Sequence, residues 1–473
     1  MPQRRLLAAL LLTPLVITLG AIYIIGMTEK LSDLIEQLLD AARSAGADAA
    51  DAIVARGSSH SVSVRLGAVE AIERSEEHDI GLRVFVDGRN ASISSSQLDS
   101  ERIAGLAERA VAMARLAPPD PYAGLADPAL LASSIPALDM MDPLTPDSET
   151  LKAIALEAEE AARSTPGISN SEGADASHGV TDFLMATSSG FSAGYCRSGH
   201  SFSVMVIAEK DGAMERDYDY SSAVFAEDLK SPAAVGKRAA ERTLARLGAT
   251  QPPTGRFPVI YDARVSRSIA GTIAGAVNGA AIARGTSFLK DSMGQAIAAS
   301  GITLIDDPLR PRGAGSSPFD GEGLPRQQRV LVENGVLKGW LLDCATARQL
   351  GLAPTGNASR GIGGPPSPGT TNWIMQPGSI SRDDLIAGVD RGLLVTEMIG
   401  SSVSLVTGDY SRGASGFWIE GGRLTHPVTE ATIAGNLKDM LQQITAADDL
   451  DLSHATAAPS LRIDGMTIAG SSS

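Results

Sequence analysis

Between Gly46 and Ser100, apolar and polar residues alternate in successive runs, and no helical period separates one run from the next. Val62, Val64 and Leu66 share one side of such a run. Ile80, Leu82, Val84 and Val86 share one side of another, just before Asp87-Gly88, a dipeptide that turns hairpins. On either side the period becomes helical. Leu31, Leu34, Ile35, Leu38, Leu39 and Ala42 lead to a stop at Gly46, and Ile103, Leu106, Ala110 and Met113 follow a helix start near Ser100. The order α-β-β-β-α groups the strands instead of interleaving them with helices, which predicts an antiparallel sheet and the α+β class.

The same reading carries along the chain. From Ala117 to Pro146, prolines and short apolar pieces predict a long surface connection, followed by a helix over roughly Ser148 to Arg163. Short strands from about Ile168 to Val224, with turns at Ser189-Gly190 and Asp211-Gly212, predict a meander, and a helix from about Ala233 to Leu247 closes this half. A chain of 473 residues outgrows one core. The stretch Thr250-Gln251-Pro252-Pro253-Thr254-Gly255 is the expected boundary, giving an N-terminal α+β domain at 27–250 and a β-rich C-terminal domain at 251–473. The latter opens with a strand from Phe257 to Tyr261 and a small-residue helix through Ala283, then hairpins such as the one at Glu333-Asn334-Gly335.

Composition excludes some functions. A net charge of −15 repels phosphates, so direct nucleic-acid binding is not expected. Cys196 and Cys344 stand far apart and form no disulfide framework, which fits a reducing compartment. Arg4 and Arg5 precede an apolar run, Leu6 to Gly26, long enough to cross a bilayer. Two readings of residues 1–26 stand: a signal anchor, or a mis-assigned start upstream of Met27. Met27-Thr28-Glu29-Lys30 runs straight into an amphipathic helix, as a soluble N-terminus does, so a cytoplasmic protein without membrane attachment is expected.

Local motifs for chemistry are weak. Among His60, His78, His178, His200, His426 and His454, no two lie three to five residues apart, so no local zinc pair exists. Gly190-Phe191-Ser192-Ala193-Gly194 matches G-x-S-x-G, but that motif needs a strand-to-helix turn, and this one sits inside a meander. Glu215, Asp217 and Asp219 share a strand face, read as solvated and partly balanced by Arg216. Gly361 to Gly369 has no lysine and reads as a structured loop, not a phosphate cradle. Cys196 and Cys344 read as buried small residues.

Several longer motifs occur in a fixed order. They include Gly81-Leu82-Arg83-Val84, Arg284-Gly285-Thr286-Ser287, Phe319-Asp320-Gly321-Glu322-Gly323 and Pro354-Thr355-Gly356-Asn357. Gly392 to Met398 and Thr407 to Glu420 follow. With these the chain resembles the TldD/PmbA family over nearly all of 27–473, and its PmbA-like (TldE-like) branch in particular. The resemblance implies one subunit of a heteromeric cytoplasmic zinc metalloprotease that cuts unfolded or flexible peptides, linked to peptide maturation and to the label "modulator of DNA gyrase". In that family the TldD-like subunit holds zinc through His-Glu-x-x-x-His on a helix and a cysteine further on. Counting back from Arg284 without gaps puts that motif on Ala270, Gly271 and Gly275, none of which offers a ligand atom or a base. No cysteine follows Cys344; His454 lies in the tail where one is expected. No catalytic, cofactor or metal residue is therefore assigned to this chain, and zinc is expected in a TldD-like partner. A self-sufficient hydrolase using Ser192 or the Glu215–Asp219 carboxylates, and a chaperone-like peptide binder, remain as alternatives.

The N-terminal reading predicts that mature protein begins at Met27. N-terminal mass spectrometry of native protein checks it, and a peptide spanning Leu12 to Lys30 would overturn it.

Overall fold

The computed structural model describes residues 31–97 and 100–470, so Leu6–Gly26 and the expected start at Met27 lie outside the described residues. Helix α1 (residues 31–44) buries Ile35, Leu38 and Ala42. Strands β1 (Ala49–Arg65), β2 (Ala68–Val86) and β3 (Arg89–Ser95) then form a meander, followed by α2 (Ser100–Leu116). After the long connection, α3 (Ser148–Arg163) starts where the Asp147 carboxylate accepts the Thr150 amide at 2.8 Å. Strands β4 (Ile168–Thr187), β5 (Ser192–Lys210) and β6 (Ala213–Ala223) extend the sheet, and α4 (Pro232–Ala245) follows.

The six strands run β3-β2-β1-β4-β5-β6, every pair antiparallel, as the grouping of strands predicts. Two cores form on this sheet. At one end α1 and α2 cover Ala52, Val54, Leu82 and Val84; at the other α3 and α4 cover Val62, Val64, Val204 and Val206. Two details differ from the periodicity. Leu66 is not a strand residue but turns the β1–β2 hairpin with φ of 51°, and Met113 lies at the edge of the buried face of α2, 47% exposed.

The rest of the chain is β-rich. Strand β7 (Gly255–Tyr261) leads to α5 (Ala263–Ala276) and α6 (Gly279–Ala283). The single small-residue helix expected through Ala283 is broken at Asn278, whose side chain accepts the Ala280 amide at 2.9 Å and starts α6. Short elements follow: β8 (Leu304–Asp306), β9 (Arg329–Glu333), β10 (Val336–Leu337), α7 (Cys344–Leu350), β11 (Ala358–Ser359), β12 (Ser367–Pro368), β13 (Trp373–Met375) and α8 (Arg382–Ala387). The chain ends with β14 (Arg391–Val403), β15 (Asp409–Glu420), β16 (Arg423–Asn436), α9 (Leu437–Gln442), β17 (Ile444–Ala446), β18 (Thr456–Ala457) and β19 (Leu461–Ala469). Strands β16-β15-β14-β7-β19 close into a barrel because β16 also pairs with β19.

A buried charge cluster joins the sheet to the later half. Asp51 and Arg83 face each other across β1 and β2, and Arg83 Nε donates to Asp51 Oδ2 at 3.0 Å. Arg360, just after β11, donates from Nη1 to the other carboxylate oxygen at 2.5 Å. The Asp51 and Arg360 side chains are each 1% exposed. Burial, the largest single influence, pushes the Asp51 carboxyl up; the two guanidiniums together outweigh it and hold the group below its ordinary value. Close approach explains two motif glycines. A Cβ on Gly81 would fall 1.9 Å from the Ile362 carbonyl oxygen, and one on Gly321 would fall 2.8 Å from the Arg360 Cβ. The 361–369 segment is thus a docked loop, as its composition suggests.

Asp51→Ala leaves Arg83 and Arg360 without their carboxylate in a dry interior. We expect it to cost about 3–5 kcal/mol of stability, read as a drop in the urea midpoint. A loss below about 1 kcal/mol would show that the cluster is not what joins the two halves.

Candidate functional site

Helix α5 follows β7 directly, and its start is fixed by Asp262, whose Oδ1 accepts the Arg264 amide at 3.1 Å. Ser266, Ile269, Ala270, Ile273 and Ala276 form its buried face. Ala270 is fully enclosed, and its carbonyl accepts Trp373 Nε1–H at 2.8 Å. Arg264, Arg267 and Gly271 lie at i, i+3 and i+7, one above another on a second face. A Cβ at Gly271 would meet open space, whereas one at Gly275 would fall 3.1 Å from Leu405 Cδ1. The three positions on which the zinc motif is expected to fall hold a core alanine and two glycines. They do not fit a zinc ion.

Beside the first turns of α5, at the seam between the antiparallel sheet and the later half, lies a cavity of about 230 Å³. Strand β6 and helix α4 form one wall, and α5 with the 451–458 segment forms the other. Five cationic side chains line it (Lys230, Arg238, Arg242, Arg264 and Arg267) against three carboxylates (Asp219, Asp262 and Asp451). On a chain of net charge −15 this is a local reversal of sign. Asp219 alone serves two guanidiniums, Arg238 at 2.5 Å and Arg242 at 2.8 Å, while Lys230 takes Asp451 at 2.9 Å. Arg264 turns back to Asp217 at 2.7 Å, and Arg382 pairs with Asp262 at 2.9 Å. Arg267 donates to the Tyr220 hydroxyl at 3.0 Å, which lies 3.2 Å from His454 Nε2. Burial foremost, then the Arg267 charge, lowers the His454 pKa and keeps the imidazole neutral.

The structure revises the reading of the β6 carboxylates and of Cys196, which is half-buried and not buried. Asp217 and Asp219 do not form a solvated face; both are buried against arginines of α4 and α5. Arg216 is not their counter-ion and reaches Glu172 at 3.4 Å instead. Arg246 carries that balance, meeting Glu215 at 3.1 Å, Asp217 at 3.6 Å and Glu397 of β14 at 2.5 Å. Ser192 opens β5 opposite Ala186 in a hairpin, without the strand-to-helix turn that exposes a nucleophile. Cys344 is buried at the first turn of α7, where its amide donates to Glu322 Oε2 at 2.7 Å. Burial raises its thiol, as it raises the half-buried Cys196 thiol to about 12, so neither is a ready nucleophile. Burial also lifts the Glu322 carboxyl to about 7, against the Arg83 charge 4.0 Å away.

Strand register brings together histidines that are distant in sequence. His60 pairs with His178 across β1 and β4, and His178 pairs with His200 across β4 and β5. The last two rings are 4.6 Å apart, His60 Nε2 meets Ser148 Oγ at 3.0 Å, and Asp142 Oδ2 lies 3.1 Å from His200 Nε2 without the alignment of a hydrogen bond. Among the described residues, no group of three or more His, Cys, Asp or Glu side chains is arranged to hold a metal ion.

An antiparallel α+β sheet, a closed barrel and a cleft beside a helix define a two-part architecture. Family models match in chain order: PmbA/TldA metallopeptidase domain 1 over residues 50–114, the central domain over 142–247 and the C-terminal domain over 254–470. Metalloprotease PmbA of Escherichia coli O157:H7 is 37% identical over 95% of this chain and 99% of its own. The structure of a candidate modulator of DNA gyrase from Bacteroides thetaiotaomicron superposes with a TM-score of 0.85 at 28% identity, over 93% of this chain and 99% of that one. TldE of Thermococcus kodakarensis shares the fold, with a TM-score of 0.79 at 22% identity over 92% and 100% of the two chains. The chain belongs to the PmbA/TldD metallopeptidase family.

His178 is buried with its Nε2 unpartnered. Burial first, then neighbouring His200, lowers its pKa to about 4, with Asp142 opposing and His60 assisting. The unfolded chain, with histidine near 6.5, binds more protons between pH 6.5 and 4, so stability falls as pH drops through that window. We expect His178→Gln to remove on the order of 2 kcal/mol of this loss, read from urea midpoints of variant and parent at pH 7 and pH 4. An unchanged difference between the two pH values would contradict it.

Proposed function

We propose that this chain is the non-catalytic, PmbA/TldE-type subunit of a heteromeric metalloprotease, and that a TldD-like partner supplies the zinc. One observation carries this reading: the α5 positions aligned with the zinc motif are Ala270, enclosed beneath Trp373, and two glycines, Gly271 and Gly275. A zinc site takes its affinity from nitrogen and thiolate donors in fixed geometry, and these side chains have none. The helix itself is retained, with its cap, its buried face and the cationic cleft at its first turns. That pattern suits a subunit whose task is to hold peptide and support its partner. Unfolded or flexible peptides are the substrate class, and the two free thiols, Cys196 and Cys344, suit a cytoplasmic setting.

The reading is tested by metal analysis of the purified chain, then by a peptidase assay with and without a TldD-like partner from the same genome. We expect less than a tenth of an equivalent of zinc in this chain, no cleavage by it alone, and cleavage only when both are mixed. Near-stoichiometric zinc in the single chain, or full activity of the partner alone, would overturn it. Turnover by the single chain that is lost in Ser192→Ala would establish the hydrolase alternative.

A further inference from the structure

We infer that the cationic seam cavity is a receptor for the C-terminal carboxylate of a bound peptide, with Arg267 as its principal donor. The inference rests on the peptide-handling reading above and adds where one end of the peptide sits.

Three observations point to it. The first is charge: Asp219 neutralises one of the two guanidiniums it touches, and Arg267 meets no carboxylate among the described residues, only the Tyr220 hydroxyl. The cavity therefore carries positive charge that the fold itself does not balance. Arg267 presents several N–H donors in one plane, suited to two carboxylate oxygens at once. The second is the neighbouring imidazole. Burial lowers the His454 pKa and so favours its neutral form, in which its ring is a polar hydrogen-bonding neighbour to the Tyr220 hydroxyl and places no carboxylate in the site. The third is shape. At about 230 Å³ the cavity holds more than a bare oxyanion yet falls short of a drug-sized pocket, which suits one terminal residue. Next to it, behind Arg242 and Arg264, lies a second cavity of about 250 Å³, where Leu394, Phe417 and Leu424 give an apolar side among the charged groups of Asp217, Glu241, Arg246 and Arg382. An apolar side chain one or two residues before the carboxylate has a place there, which a free phosphate ion would leave empty.

The seam is formed by both halves, with Asp219 and Arg242 from one and Arg267 and His454 from the other. A carboxylate bound there neutralises charge that both halves contribute, so occupancy draws on the intact chain and not on either half.

The test uses the full chain alone, without partner or metal, so its outcome is independent of the reconstitution assay. A fluorescein-labelled apolar hexapeptide with a free C-terminus is compared with its C-terminal amide by fluorescence anisotropy. We expect the acid to bind at least tenfold more tightly, and this comparison needs no variant. Arg267→Gln should bring the ratio to about one and Arg267→Lys should keep part of it, while Arg216→Gln, on the exposed strand face, should leave it unchanged. Equal binding of acid and amide, an undiminished ratio in a folded Arg267→Gln chain, or no binding of either peptide would overturn the inference. Displacement of the peptide by inorganic phosphate at concentrations where acetate does nothing would also overturn it, since the site would then select phosphate over carboxylate.

Discussion

The Asp51 carboxylate is the point on which the two halves of this protein turn. It accepts from Arg83 on the neighbouring strand and from Arg360 on the far side of the seam, in surroundings almost closed to water. A buried ion cluster is poor evidence of net stability, since removing charges from water costs several kcal/mol per ion. What such a cluster supplies is specificity of placement: either guanidinium without the carboxylate is worse than neither. Placement then propagates. Arg360 sits where it does because Gly321 leaves room for its stem, and the loop that follows lies on β2 because Gly81 has no side chain. Asp320 anchors the same region, accepting the amides of Glu322 and Leu324 at 2.9 Å and of Ala358 at 3.1 Å. The motifs Gly81-Leu82-Arg83-Val84 and Phe319-Asp320-Gly321-Glu322-Gly323 are therefore one structural device split across the chain.

This explains what could be read from the sequence and what could not. Helix α3 is legible as an element, roughly Ser148 to Arg163, because the residues that shape it, its Asp147 cap included, are local. The β2–β3 turn at Asp87-Gly88 and the β9–β10 turn at Asn334-Gly335 are legible for the same reason. The α5–α6 break is not, because Ala, Gly and Ile continue a helical pattern through Asn278 and only its cap reveals the stop. The histidine row is not legible at all. Residues 60, 178 and 200 share a face through strand register, and register is a long-range property. Local alternation puts Glu215, Asp217 and Asp219 on one strand face, but α4 and α5 bring arginines onto that face from outside the local pattern.

The seam is also where the charge of the molecule is organised. Glu215, Asp217 and Asp219 on β6 meet Arg238, Arg242 and Arg246 of α4 and its end, and Arg264 of α5 crosses to Asp217. Arg246 continues to Glu397 on β14, so the network spans both halves. These pairs differ in weight. Arg264 and Asp217 are largely buried and gain from a low local dielectric, whereas Lys230–Asp451 is about half exposed and screened by solvent. The buried pairs hold the wall in place, while Arg238 and Arg242, about a third exposed, lie on the cleft side.

Helix α5 is held in place by its packing. Its buried face would tolerate little change: Ile269, Ala270 and Ile273 pack in the main core, and the Ala270 carbonyl holds the Trp373 indole. A histidine at position 270 would have to open that core, so restoring the zinc motif here is more than a matter of three side chains. Gly271 is different, with open space around it. One turn earlier the same face carries Arg264 and Arg267, directed at the cleft. A permanently charged guanidinium can hold an anionic end of a peptide without metal, water activation or a titrating base. On the proposed reading, what this helix offers is binding, which is what a subunit needs if cleavage happens elsewhere.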